Sequence, residues 1–196
     1  MELPDPQKEL SFPLMRALEL RRTKRNWDSA ELSLHEISNI LWAAGGVTMA
    51  QTSKNKSKRT VPSARNSQSV KIFVALKKGL FMYRENNHEL LRISEEDIRE
   101  SLSTQKRMKS APAGLVFVAD YSRLKGYIGS SENQKWFVAG TETGFMSQNV
   151  YLYCAAAQLH TAVIGLVDRQ RLHDLMGLAE YEKAGFTQVF GRPLKP

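Results

Sequence analysis

At 196 residues, 42% of them hydrophobic and 24% charged, the chain has the length of one domain and the composition of an ordinary globular protein. No apolar run approaches the roughly 20 residues a membrane-crossing helix needs, and a single cysteine, Cys154, excludes an internal disulfide and a multi-cysteine zinc site. The formal charge of +8 admits nucleic acid, an acidic membrane or a phosphorylated small ligand as the anionic partner.

The distribution of the basic residues separates these. They concentrate in Arg21-Arg22-Thr23-Lys24-Arg25 and in Lys54 to Arg59. Neither cluster is interleaved with aromatics or set along a recognition helix, so a phosphate-bearing cofactor is the economical reading, and neither nucleic acid nor membrane is expected as a partner. His35, His88, His160 and His173 lack ligand spacing, so no catalytic metal is expected. Cys154, beside Tyr153 and the alanines at 155 to 157, reads as a buried packing thiol. The start, Met1-Glu2-Leu3-Pro4-Asp5-Pro6, lacks the charged-then-apolar order of a secretory signal; as written the chain is expected to be cytoplasmic, and an exported chain whose signal had been removed would read the same.

In chain order, residues 1–12 are proline-rich and are expected as an extended arm on the surface or on a second subunit, followed by one domain over 13–196. Pro13 suits the first turn of a helix carrying Leu14, Ala17, Leu18 and Arg21 at helical spacing, which would deliver the first basic cluster at its carboxyl end. Ser33 and Glu36 form a capping box with Leu32 and Ile37 as staple; Ile37, Ile40, Leu41 and Ala44 make an apolar face, Trp42 is expected in the core, and Gly45-Gly46 stops the helix. Residues 47–58 have no periodicity and are expected as a mobile loop. They lead into Arg59-Thr60-Val61-Pro62-Ser63-Ala64-Arg65-Asn66-Ser67-Gln68, where turn formers alternate with donors (Arg59, Arg65, Asn66, Gln68) suited to an anionic or heteroaromatic ligand.

Val70 to Leu76 predicts a strand, Lys77-Lys78-Gly79 a hairpin turn, Leu80 to Arg84 its return, and His88 to Ile93 a third strand. Ser94-Glu95-Glu96-Asp97 predicts a helix start. Gly114 to Asp120 is apolar throughout and predicts a central strand covered on both faces. Thr141 to His160 is expected as the longest helix, apolar around most of its circumference and therefore core, subunit interface or both. Thr161 to Gly165 predicts a strand, Asp168 caps a helix ending at Gly177, and Phe186 to Phe190 is the last strand. The order implies an α+β fold with a mixed, mainly antiparallel central sheet flanked by helices.

Five segments in order carry a resemblance. Arg21 to Arg25 resembles the basic motif near the start of the flavin-dependent nitroreductase family, and Pro62 to Gln68 resembles its second motif. Leu41 to Gly46 stands at the expected helix end, Ser147 to Leu152 precedes Ile164-Gly165 and Asp168, and Val189-Phe190-Gly191-Arg192-Pro193 continues the resemblance, which spans about residues 3 to 194. The nearest branch is similar to short azoline-dehydrogenase-type members. The resemblance implies an entwined homodimer with FMN at the subunit interface and NADH or NADPH as electron donor.

On that resemblance Arg21, Thr23 and Arg192 are expected on the FMN phosphate, and Arg22 and Arg25 near the pyrimidine edge. Asn66 and Gln68 would pair with the ring's N3 and carbonyls, with Pro62, Ser63 and Ala64 packing from the other subunit. Backbone amides around Ile164, Gly165 and Leu166 would face N5, and no catalytic side chain is expected. Gly165 stands where many members carry glutamate, and Ser69 and Val70 replace a common proline and tryptophan. The implied activity is ping-pong reduction of a nitroaromatic, a quinone or a related small acceptor; the alternatives are FMN-dependent oxidation of a peptide or small heterocycle, or flavin binding without turnover.

Overall fold

The computed structural model describes residues 1–194. Its strands are β1 (Val47–Met49), β2 (Lys58–Arg59), β3 (Val70–Leu76), β4 (Gly79–Arg84), β5 (Glu89–Ser94), β6 (Ala113–Asp120), β7 (His160–Ile164) and β8 (Glu182–Gly191). Its α-helices are α1 (Leu14–Leu20), α2 (Leu34–Gly45), α3 (Glu132–Ala156) and α4 (Arg169–Met176). Six strands form one sheet in the order β5-β4-β3-β6-β8-β7, with each of its pairings antiparallel. None of its helices is long and apolar enough to cross a membrane, among the described residues.

Side-chain alternation along the central strands builds two cores, one on each face. Val70, Ile72 and Val74 of β3 with Leu115 and Phe117 of β6 point to α2 and α3, where they meet Ile37, Leu41, Met146 and Val150. Phe73 and Ala75, with Val116 and Val118, point the other way, onto Ile98, Leu102 and the α4 residues Leu172 and Met176. Every residue of β6 is buried, as its unbroken apolar run predicts.

The capping box of α2 forms as read: Ser33 Oγ accepts from the Glu36 amide and the Glu36 carboxylate accepts from the Ser33 amide. Asp168 caps α4, which ends at Gly177 in the left-handed region (φ 59°). Gly79, at φ 125°, lets the two-residue turn between β3 and β4 close.

Several expectations are corrected. The segment at Ser94 to Asp97 starts no α-helix: Ser94 stays in the sheet opposite Leu80, and the Asp97 carboxylate captures the Arg99 backbone and guanidinium, leaving only a 3-10 turn at Arg99–Leu102. Residues 47–58 are not structureless, because β1 and β2 pair across their ends. Trp42 is only half-buried and lines an open cleft, with the Lys8 ammonium 5.7 Å from its ring. The long helix begins at Glu132, where Ser131 caps it, and stops at Ala156, since 160–164 are taken by β7. β8 is longer than expected, running from Glu182 to Gly191. The amino-terminal arm does lie on the surface, as one of its two expected placements has it, and its first residues hold to the chain's own sheet: Met1 and Leu90 exchange backbone hydrogen bonds, and Leu3 donates to His88, covering part of the β5 edge.

Candidate active site

The opposite edge of the sheet organises the first half of the site. Residues of β7 whose backbone groups face away from β8 recur every second position, at 161, 163 and 165. Lys24 N–H donates to the Thr161 carbonyl at 3.0 Å, and Val163 N–H donates to the Tyr151 hydroxyl at 3.0 Å. Among the described residues the next outward amide, that of exposed Gly165, donates to no group of the chain. The basic segment is therefore laid along the edge of β7. As expected, α1 delivers the cluster at its carboxyl end: the helix ends at Leu20, Arg21 is its C-cap, and the cluster runs on as extended chain.

Extended chain alternates, which divides the cluster. Arg21 and Thr23 face Tyr151: the Arg21 guanidinium lies 5.3 Å from the centre of its ring, and the Thr23 and Tyr151 hydroxyls are 2.9 Å apart. Arg22 and Lys24 line a cavity of about 320 Å³ with Cys154, His160 and Thr161. Arg22 donates to the carbonyls of Glu19 and Arg21 at the end of α1, a C-capping role. Arg21, Lys24 and Arg25 meet no carboxylate within 4 Å among the described residues. Arg192 lies close by, because Asp28 N–H donates to its carbonyl, but its guanidinium is engaged by Glu36 at 2.6 and 3.1 Å.

The second half lies elsewhere. Pro62 to Gln68 packs against α3 through Glu142, whose carboxylate accepts from Ala64 N–H at 2.8 Å and from the Ser69 hydroxyl at 2.9 Å. Burial pushes the Glu142 carboxyl above its ordinary range, opposed by those two donors. Asn66 and Gln68 turn inward, both donating to the Ser57 carbonyl, at 3.1 and 2.7 Å. Arg59 is likewise internal, donating to Val70 O at 3.0 Å and pairing with Glu85, so it offers nothing outward. Pro62 and Arg65 are exposed, while Ser63 and Ala64 are half-buried.

Glu142 and Tyr151 are nine residues apart on one helix, about two and a half turns, so they leave α3 on opposite sides and about 13 Å apart along its axis. Within one chain, then, Arg21 and Thr23 meet Tyr151 and Lys24 meets Thr161 on the β7 edge, Ile164, Gly165 and Leu166 lie at the end of that edge, and Pro62, Ser63, Ala64, Asn66 and Gln68 lie on the other side of α3.

Two residues that shape the site have no assigned role in the sequence reading. Glu142 has a signal there, being the one charged residue between Trp136 and Ala156. Tyr151 lies within the Ser147 to Leu152 segment that carries the resemblance but takes no role from it, since an aromatic residue on an apolar helix reads as core. Cys154 is fully buried, as expected, and burial pushes its thiol far above the usual thiol range.

The chain's sequence and fold have known counterparts. The sequence model of the nitroreductase family matches residues 18–192. A Methanocaldococcus jannaschii protein named "putative nitroreductase" is 28% identical over 191 residues, covering 92% of this chain and 91% of that protein. A crystal structure from Ralstonia eutropha JMP134, titled as a "putative nitroreductase", matches with a TM-score of 0.89 and 32% identity over 100% of this chain and 90% of that one. At 18% identity the Vibrio harveyi NADPH:FMN oxidoreductase, solved with NAD+, shares the fold (TM-score 0.65, 93% of this chain, 72% of that one). The matched span takes in the basic segment, the Pro62 to Gln68 turn, the β7 edge and Arg192, and the chain belongs to the nitroreductase family, a family of oxidoreductases.

Proposed function

We propose that the protein is an FMN-dependent oxidoreductase working as a homodimer, taking electrons from NADH or NADPH and passing them to a small acceptor such as a nitroaromatic or a quinone. The carrying observation is the β7 edge. It runs from Thr161, where the basic segment is bonded through the Lys24 amide, to the open amide of Gly165, four residues and about 13 Å further on. Unpaired cations at one end suit a phosphate, and an unmade backbone donor at the other suits the electron-rich edge of a ring.

Bound FMN would supply the chemistry of accepting and releasing hydride. The chain supplies position and charge. Arg21 and Thr23 would hold the phosphate end, with Arg192 available if Glu36 shares it, and Arg25 would approach the pyrimidine edge. The Gly165 amide would orient the ring, and Gly165 is itself exposed.

A second copy completes the site in this reading, because the Pro62 to Gln68 turn lies on the far side of α3. The outward stripe Phe137, Gly140, Thr141, Gly144, Phe145 and Gln148 is exposed and uncharged, and a Cβ at Gly140 or Gly144 would meet nothing within 4 Å. Exposed apolar surface with small residues at helical spacing suits close packing against another chain.

The test is a visible spectrum of the purified protein, before and after incubation with excess FMN and then anaerobic NADH or NADPH. A yellow protein that bleaches with a nicotinamide donor is the expected result. A protein that stays colourless after incubation with FMN overturns the reading, and a yellow one that no nicotinamide bleaches reduces it to flavin binding.

A further inference from the structure

The segment 64–69 is built under strain. Arg65 (φ 53°), Asn66 (φ 53°) and Gln68 (φ 51°) all lie in the left-handed region, where residues with a Cβ seldom sit. Three such residues within four positions persist only if the surroundings over-determine the conformation. The surroundings do so here. Ser63 Oγ accepts from Gln68 N–H at 3.1 Å, Ser57 O takes both side-chain amides, and Arg123 donates to Gln68 O at 3.0 Å.

At the centre of this cage is a group whose type packing alone does not require. Glu142 is 2% exposed and makes no ion pair within 4 Å among the described residues, although the Arg59 guanidinium is near enough to favour its charged form. Its two oxygens take the donors at either end of the strained segment, Ala64 N–H and Ser69 Oγ. An unpaired buried carboxylate is costly, and a glutamine or an aliphatic residue would fill the same volume without that cost. What a carboxylate adds is the ability to accept two hydrogen bonds at once, in fixed directions, from two separate chain segments.

We propose that Glu142 is a positioning residue: by clamping both ends of the left-handed segment, its carboxylate fixes the face formed by Pro62, Ser63, Ala64 and Arg65 against the flavin held by a second copy of the chain. The inference rests on the FMN-homodimer reading above. It assigns the contact to the outward face of the turn and to its buried clamp, whereas Asn66 and Gln68 keep the turn folded from within.

The experiment compares wild type with Glu142→Gln, Glu142→Leu and Ser69→Ala, the last removing one donor while leaving the carboxylate. Four quantities are read: FMN dissociation constant by flavin fluorescence, FMN reduction potential by dye equilibration, thermal midpoint and circular dichroism. Glu142→Gln keeps the shape but loses one of the two acceptor positions. It is expected to weaken FMN about tenfold and to shift the potential, with an unchanged dichroism spectrum. Ser69→Ala should move both quantities in the same direction by less, and Glu142→Leu by more.

Folded Glu142→Gln and Ser69→Ala variants that bind FMN with the wild-type constant and potential overturn the inference while leaving the FMN reading intact. So does a lower thermal midpoint with both flavin quantities unmoved, which would mark Glu142 as merely structural. A wild-type protein that binds no FMN overturns the reading itself and the inference with it.

Discussion

The Tyr151 hydroxyl sits 2.9 Å from the Thr23 hydroxyl and accepts the outward amide of Val163 at 3.0 Å. One phenol thus joins the basic segment, the long helix and the edge strand. Tyr151→Phe keeps the ring under Arg21 and removes both hydrogen bonds. It should cost about 1–2 kcal/mol of stability in urea unfolding. It should also reduce FMN retention on gel filtration, because Thr23 loses the contact that aims it.

Arg21 and Arg25 carry charge without a carboxylate partner, and neither is in the core. Arg21→Ala and Arg25→Ala should each lower FMN affinity about tenfold or more, with the dichroism spectrum unchanged. Variants that unfold while keeping full FMN per folded molecule would mark the cluster as structural.

His88 ties the amino-terminal arm down. Ser38 Oγ donates to Pro4 O at 2.6 Å and so accepts from His88 Nε2–H at 2.7 Å; His88 Nδ1 then accepts from the Tyr83 hydroxyl at 2.7 Å. This bonding uses the neutral ring, and burial holds the His88 pKa below its ordinary 6.5. The unfolded chain therefore takes up the proton first as pH falls. The contribution of His88 is intact above that ordinary value and is lost as pH drops from there to the depressed folded value. Thermal midpoints measured from about pH 7.5 down to about pH 5 should fall more steeply for wild type than for His88→Gln.

Gly177 ends α4 at φ 59°, and a Cβ built there would meet nothing within 4 Å. The cost of Gly177→Ala is thus purely conformational, about 1–2 kcal/mol in denaturant unfolding. A neutral result would mean that the end of α4 relaxes out of the left-handed region.

Much of the fold was legible in the residues because it is set locally. The Ser33 to Glu36 capping box, the Asp168 cap with Gly177, the Lys77-Lys78 hairpin and the unbroken apolar run of β6 each follow from contacts within a few positions. So do the basic segment and the turn-rich stretch at 62–68, whose composition marks them as candidates for an anionic ring system.

What those stretches do with their side chains was settled at long range. The 94–97 segment carries helix-start residues, yet Asp97 is captured by Arg99 and Ser94 by the ladder with β4. The basic cluster leaves the helix because the open edge of β7 offers the Thr161 carbonyl to Lys24, a partner 137 positions away in the sequence. Asn66 and Gln68 carry the right donors for a ligand but spend them on Ser57, and Arg59 spends its own on Glu85 and Val70. A sequence records which donors exist; which of them stay free depends on the acceptors that the fold carries to them, and burial compels nearly every donor within reach to take one.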